Sequence, residues 1–128
     1  MANKPKKKAA PAAVTAPQEK GIDWKGSSFE DLLAFPDDAR REAGFQLGKV
    51  QNGLDPDDWK PFDEIGPGVK EIRIKEAAGT FRMMYVAKFE EAIYVLHCFQ
   101  KKAQATPQPD KDIATARYKA VMQERKKK

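Results

Sequence analysis

The run VKEIRIKEAAGTFRMMYVAKFEEAIYVLHCFQKK, residues 69–102, decides how this chain folds. It divides into three stretches rich in β-branched and aromatic residues, 69–75, 80–88 and 92–101, with small or charged residues between them. That pattern predicts three consecutive β-strands. Side chains alternate along a strand. In the first strand Lys70, Ile72 and Ile74 therefore point one way, and Glu71, Arg73 and Lys75 the other.

The turn sets the second strand against the first. Ala78-Gly79 suits a two-residue hairpin turn, because glycine tolerates positive φ. This register places Lys75 opposite Arg82, Arg73 opposite Met84, Ile74 opposite Met83 and Ile72 opposite Tyr85. One face then holds Ile72, Ile74, Phe81, Met83 and Tyr85, and the other carries Arg73, Lys75 and Arg82. A slip of one residue would mix the two sets. Like charges side by side on a sheet destabilise it by up to roughly 1 kcal/mol. The basic face has two readings: a solvated surface with splayed side chains, or an anion site where a phosphate supplies the missing negative charge. On the second reading Arg73 and Arg82 are exposed and replaceable at little cost in stability.

Outward from this run, the chain has 128 residues, enough for one domain with a modest core. The net charge of +5 favours anionic partners without identifying them. Much of the excess lies at the two ends. A single Cys excludes an internal disulfide and fits a reducing compartment, so the expected location is cytoplasmic. No apolar run approaches the roughly 20 residues of a membrane span. The basic N-terminus lacks the apolar core of a secretory signal.

Residues 1–20 are rich in Lys, Ala and Pro and are expected to be a disordered tail, leaving residues 21–128 as a single domain. The Lys4–Lys8 cluster has two readings, non-specific nucleic-acid contact or a solubilising tail. Residues 22–25 read as a short strand. A short helix follows, capped by Ser27 or Ser28, with Ser28 and Asp31 as a loose capping box. A longer helix is expected over 36–52, with Asp37 and Asp38 in its first turn and Ala39, Ala43, Leu47 and Val50 at helical spacing. The two helices read as a hairpin packed on the sheet. Residues 54–67 read as a connection anchored by Trp59 and Phe62.

The third predicted strand is apolar at almost every position, as in a strand buried on both sides. His97 falls among Ile93, Val95 and Phe99, where a histidine is more often a satisfied core residue than a catalyst. Cys98 reads as a small buried hydrophobe. After a break at 107–110, a last helix is expected over 110–124, with Ile113, Tyr118, Val121 and Met122 as its apolar residues.

The chain has no CxxC, HExxH or other metal-ligand spacing, no phosphate-binding glycine loop and no nucleophile elbow, so neither metal nor cofactor is expected. What remains is the cationic cluster. Such a cluster can hold RNA phosphates. It can also promote cleavage: one group takes the 2′-OH proton, cations stabilise charge on phosphorus, and another group protonates the leaving 5′ oxygen. A lysine among cations has a lowered pKa and becomes a usable base.

The order strand–helix–helix–strand–strand–strand, with EIRIK at 71–75, FRMMY at 81–85 and YVLHCFQKK at 94–102, resembles the RelE/ParE toxin superfamily, in particular the phage-derived HigB-like branch of type II toxin–antitoxin systems. The likeness runs from about residue 22 to 121. It implies an α+β fold: a small antiparallel sheet, an N-terminal helical hairpin packed on one face, and a C-terminal helix. It implies a ribosome-dependent mRNA endoribonuclease, with a cognate antitoxin, of helix-turn-helix type, in a toxin–antitoxin hetero-oligomer. The family's catalytic cations fall on Arg73, Lys75, Arg82 and Lys102, with His97 as the available histidine; Lys70, Gln100 and Lys101 are candidate RNA contacts. RelE proper carries a tyrosine soon after the last cation, and residues 103–110 contain none. Two other classes share the pattern: a ParE-like gyrase inhibitor, and a non-catalytic phage-derived protein that binds RNA or a host factor. The basic face favours the nuclease.

Overall fold

The computed structural model describes residues 19–102 and 104–127. Its elements are β1 (Ile22–Trp24), α1 (Ser28–Leu33), α2 (Asp37–Gln51), β2 (Trp59–Pro61), β3 (Val69–Glu76), β4 (Gly79–Val86), β5 (Ile93–Lys101) and α3 (Gln108–Lys126). The strands form one sheet in the order β1-β5-β4-β3-β2. The three neighbouring pairs from β5 to β2 are antiparallel, but β1 lies parallel to β5. The sheet is therefore mixed, not antiparallel as expected.

Helices cover both faces. On one, Leu32, Phe35, Ala39, Ala43, Leu47 and Val50 pack on Ile72, Ile74, Phe81, Met83 and Tyr85. On the other, Ala114, Tyr118 and Val121 of α3 pack on Val69, Met84, Val86, Tyr94 and Leu96. Tyr118 crosses so close to Gly66 that a Cβ there would stand 2.4 Å from its ring. The Tyr118 hydroxyl donates to the Pro67 carbonyl at 3.1 Å. Of the apolar residues expected on this helix, Ile113 is exposed, and Ala114 takes its place in the core.

Several local expectations shift. The β3–β4 register pairs Ile72 with Met83, Arg73 with Arg82, Ile74 with Phe81 and Glu76 with Gly79. The loop is thus Ala77-Ala78, two residues displaced from the expected pairing. Gly79 begins β4 at φ +136°, and a Cβ on it would lie 2.7 Å from Gln100 Nε2. That positive φ is what calls for glycine here, at the residue just past the two-residue loop. A displacement of two preserves which side each residue faces, so the apolar face stands as expected. Ser28 lies inside α1, and its hydroxyl donates to the Val95 carbonyl of β5 at 3.2 Å instead of capping the helix. The connection over 54–67 contains a strand, β2, that pairs with β3.

The second half of β5 changes phase. Val95 pairs with Tyr85 and His97 with Met84, which leaves Leu96 as an extra residue opposite the Met84/Tyr85 step. This bulge puts Ile93, Val95 and Cys98 on the α1/α2 side and Tyr94, Leu96 and Phe99 on the α3 side. His97 stacks on Phe99 with ring centroids 4.9 Å apart, so it shares a face with Leu96 and Phe99 and not with Ile93 and Val95.

The expected N-terminal tail lies outside the described residues except for Glu19 and Lys20. Lys20 is docked: its ammonium donates to the Ala87 and Phe89 carbonyls at 2.7 and 2.9 Å. Among the described residues no helix is long and apolar enough to cross a membrane.

Candidate nucleic-acid interface

On the α3 side of the sheet the apolar residues end near Met84 and Phe99, and charge begins. Strand alternation and pairing place Lys60 on β2, Glu71, Arg73 and Lys75 on β3, Thr80 and Arg82 on β4, and Lys101 on β5 on this face. The cations are not all exposed as expected. Arg82 is only 7% exposed and Glu71 is fully buried. Arg82 Nη1 donates to Glu71 Oε1 at 2.7 Å. Lys60 Nζ stands 3.9 Å from the same oxygen. Glu71 Oε2 and Arg82 Nε have no hydrogen-bond partner. A buried carboxylate needs such pairing, because isolated charge is costly away from water.

Arg73 has a different anchor. Its Nε donates to Asp58 Oδ1 at 2.8 Å, its Nη2 stands 2.7 Å from the same oxygen, and its backbone N–H donates to the Asp58 carbonyl at 2.8 Å. Asp58 immediately precedes β2, so that short strand and the residue before it supply the cation Lys60 and a carboxylate for Arg73.

The open end of the cluster is a cleft of about 670 Å³ lined by Gly79, Thr80, Arg82, Lys101, Lys102 and Gln104. Burial, and then the Arg82 guanidinium, hold the Lys101 ammonium below the usual lysine range; Glu71 opposes this, and Lys60 and Arg73 reinforce it. Among the described residues, no carboxylate lies within 4 Å of the Lys75, Lys101 or Lys102 ammonium. The arrangement can bind phosphate through several cations and can offer one lysine as a proton acceptor.

The structure thus brings Arg82, Lys101 and Lys102 into one cleft, with Arg73 and Lys75 on the same face but outside its lining, beside Asp57 and Asp58. It does not bring in Lys70 or Gln100. Lys70 lies on the opposite face, over the Trp59 ring at 4.4 Å and 3.6 Å from Asp55 Oδ1. Gln100 pairs with Phe81 and donates to the Ala78 carbonyl at 3.2 Å. His97 is on the correct face but outside the cleft lining. Its Nε2 lies 2.7 Å from Asp110 Oδ1 in the first turn of α3, and its Nδ1 is buried without a partner.

Sequence reasoning missed four residues here. Glu71 was signalled by its alternation with Arg73 and Lys75, which puts an acid on the basic face. Asp58 and Lys60 were hidden because β2 spans three residues and ends in Pro61. Asp110 carried no signal beyond its place near the helix start.

A family model, phage-derived protein Gp49-like, matches residues 30–119. No curated protein matches the chain. Among solved structures the chain is similar to an arginine-to-alanine double mutant of the E. coli toxin RelE in the free state, with a TM-score of 0.56 and 11% identity. That likeness covers 80% of this chain and 98% of the other, and it is a likeness of fold.

Proposed function

We propose, on the premise that this chain belongs to the phage-derived Gp49-like family and has a RelE-like fold, that it is the toxin of a type II toxin–antitoxin pair. Its activity, on this reading, is endonucleolytic cleavage of mRNA on the ribosome. The observation that carries the reading is the cleft lined by Arg82, Lys101 and Lys102, with Arg73 and Lys75 on the same face of the sheet beside it.

The chemistry assigned to it is transesterification. Lys101, as the free amine, takes the 2′-OH proton. The 2′ oxygen attacks the adjacent phosphorus while the bond to the 5′ oxygen breaks, giving a 2′,3′-cyclic phosphate and a 5′-OH. Arg82 and Arg73 stabilise the charge that builds on the phosphoryl oxygens, and Lys102 or Lys75 protonates the leaving oxygen. His97 and Asp110 are assigned to holding α3 against the sheet. Alignment of the 2′-OH with the scissile bond can be worth on the order of 7–11 kcal/mol, and the ribosome is the scaffold that supplies it. The antitoxin, a small DNA-binding protein, silences the toxin by covering the cleft.

The test is cleavage of one transcript, free and on translating ribosomes, at equal protein concentration. Cutting on ribosomes with little cutting of free RNA is expected. Equal rates would remove the ribosome from the proposal, and no cleavage in either state would remove the nuclease.

A further inference from the structure

The cleft accounts for the cations at the β5 end of the face but not for Lys60 at the β2 end. Lys60 pairs in register with Glu71 and projects to the same side. Its side chain is 41% exposed. The carboxylate near it is Glu71, whose nearer oxygen already accepts from Arg82 at 2.7 Å while Lys60 stands off at 3.9 Å. Glu71 has one charge to share between two cations. The charge of Lys60 is therefore incompletely balanced, in contrast to Lys49 on α2, which is paired with Asp57.

Lys60 is also electrostatically continuous with the cleft, since it and Arg73 both disfavour a proton on Lys101 across the width of the sheet. The three strand intervals from β2 to β5 amount to about 14 Å. Long side chains reaching inward over Arg82 shorten that span, so a single phosphate does not occupy all of it. Attack by a 2′-OH in line with the leaving oxygen needs a backbone free of A-form helical geometry, so the strand on this face is single.

We propose that a single RNA strand crosses the sheet diagonally, with its scissile phosphate among Arg82, Lys101 and Lys102 and a neighbouring phosphate on Lys60. This rests on the reading of the protein as a ribonuclease. Lys60 is a binding residue in this assignment, one phosphate away from the chemistry, and Glu71 is the fixed anion that offsets the repulsion between Lys60 and Arg82 before RNA arrives.

The test uses the full chain and a short single-stranded oligonucleotide lacking 2′-OH groups, so that it binds without being cut. Affinity is measured by fluorescence anisotropy over a series of salt concentrations for wild type, Lys60→Gln, Lys60→Arg and, as a control, Lys49→Gln. Each phosphate neutralised on a single strand contributes about 0.7 to the slope of log affinity against log salt. Lys60→Gln is expected to lose about that much slope and to bind several-fold more weakly. Lys60→Arg should restore both, and Lys49→Gln should match wild type. A wild-type slope and affinity in Lys60→Gln overturns the assignment while leaving the ribonuclease reading in place. Absence of binding by wild type overturns the assignment, and the ribonuclease reading is then decided by the cleavage test on ribosomes. A second measurement avoids any folding defect of a variant: amine labelling of the wild-type protein with and without the oligonucleotide. Protection of Lys60 together with Lys101, and not of Lys49, is expected. Unchanged labelling of Lys60 beside a protected Lys101 would overturn the proposal.

Discussion

Arg73 and Arg82 stand directly opposite each other across β3 and β4, and each guanidinium is held by its own carboxylate, Asp58 for the first and Glu71 for the second. Two like charges in facing positions oppose sheet formation. The two acids offset that repulsion, but in different surroundings. Asp58 and Arg73 are part-exposed, whereas Glu71 and Arg82 are buried. The two arginines, equivalent in sequence, therefore differ in what their loss does.

Replacing Arg82 by Ala strands a buried carboxylate, and breaking such a pair costs about 3–5 kcal/mol. The small loss expected from sequence does not apply to this residue. Glu71→Leu combined with Arg82→Met should recover most of the stability, since an apolar pair leaves no charge behind. Urea unfolding of wild type, both single variants and the double variant gives the coupling directly. Additive losses in the two single variants would show that the pair is not coupled.

Arg73→Ala, by contrast, should cost no more than about 1 kcal/mol, because its ion pair is open to solvent. Cleavage of a ribosome-bound transcript should fall by about 10²–10³-fold, the usual result of removing one preorganised donor to a transition-state oxyanion. The pair of measurements is a melting midpoint and an initial rate on the same preparation. An unchanged rate with an unchanged midpoint would take Arg73 out of the proposed chemistry.

A base whose pKa is lowered by burial and by Arg82 should show in the pH dependence of the rate. Deprotonation of Lys101 raises the fraction of active base, so single-turnover cleavage should increase with pH and level off below the ordinary lysine value of 10.5. Lys101→Arg keeps the charge but cannot lose its proton. It should lower the rate by about 10²–10⁴-fold and flatten the profile. A wild-type profile in that variant would assign the base elsewhere.

The far end of α3 offers a separate pH signature. Glu91 accepts from Arg125 Nε at 2.7 Å and from the Tyr94 hydroxyl at 2.8 Å, and the Arg125 guanidinium in turn lies 3.7 Å from the centre of the Phe89 ring. Arg125 first, with backbone and Tyr94 hydrogen bonds, lowers the Glu91 pKa from 4.5 to about 2. The folded value lies below the unfolded one, so the stabilisation is complete above about pH 4.5 and is lost as pH falls through about 2. Thermal midpoints recorded from pH 5 to 2 should fall more gently in Glu91→Gln than in wild type. Parallel curves would show that the pair does not hold α3.

How far this structure was legible in the sequence depended on the range of the interaction. The apolar face of β3 and β4 was readable even though the turn was misplaced, because an error of two residues leaves the alternation intact. Ala39, Ala43, Leu47 and Val50 were readable from helical spacing. The parallel pairing of β1 with β5 was not, since it joins Ile22 to Ile93 and no local signal records which way a three-residue strand runs. The burial of Arg82 was not, because it depends on pairing with Glu71 of the adjacent strand. The basic residues could be named, but which of them were already paired could not.

The extra residue at Leu96 gives one strand two phases. Up to Val95 its even-numbered residues face α3; from His97 onward its odd-numbered residues do. Deleting this single residue would rejoin the phases. Val95 and His97 would then follow each other opposite Tyr85 and Met84, with Cys98 and Gln100 still toward α1 and α2 and Lys101 still in the cleft. What the extra residue adds is a second neighbour on one face: Leu96 fills the core under α3 and His97 meets Asp110. A regular strand offers one of those two places, so the bulge serves the seating of α3 and leaves the cationic face as it is.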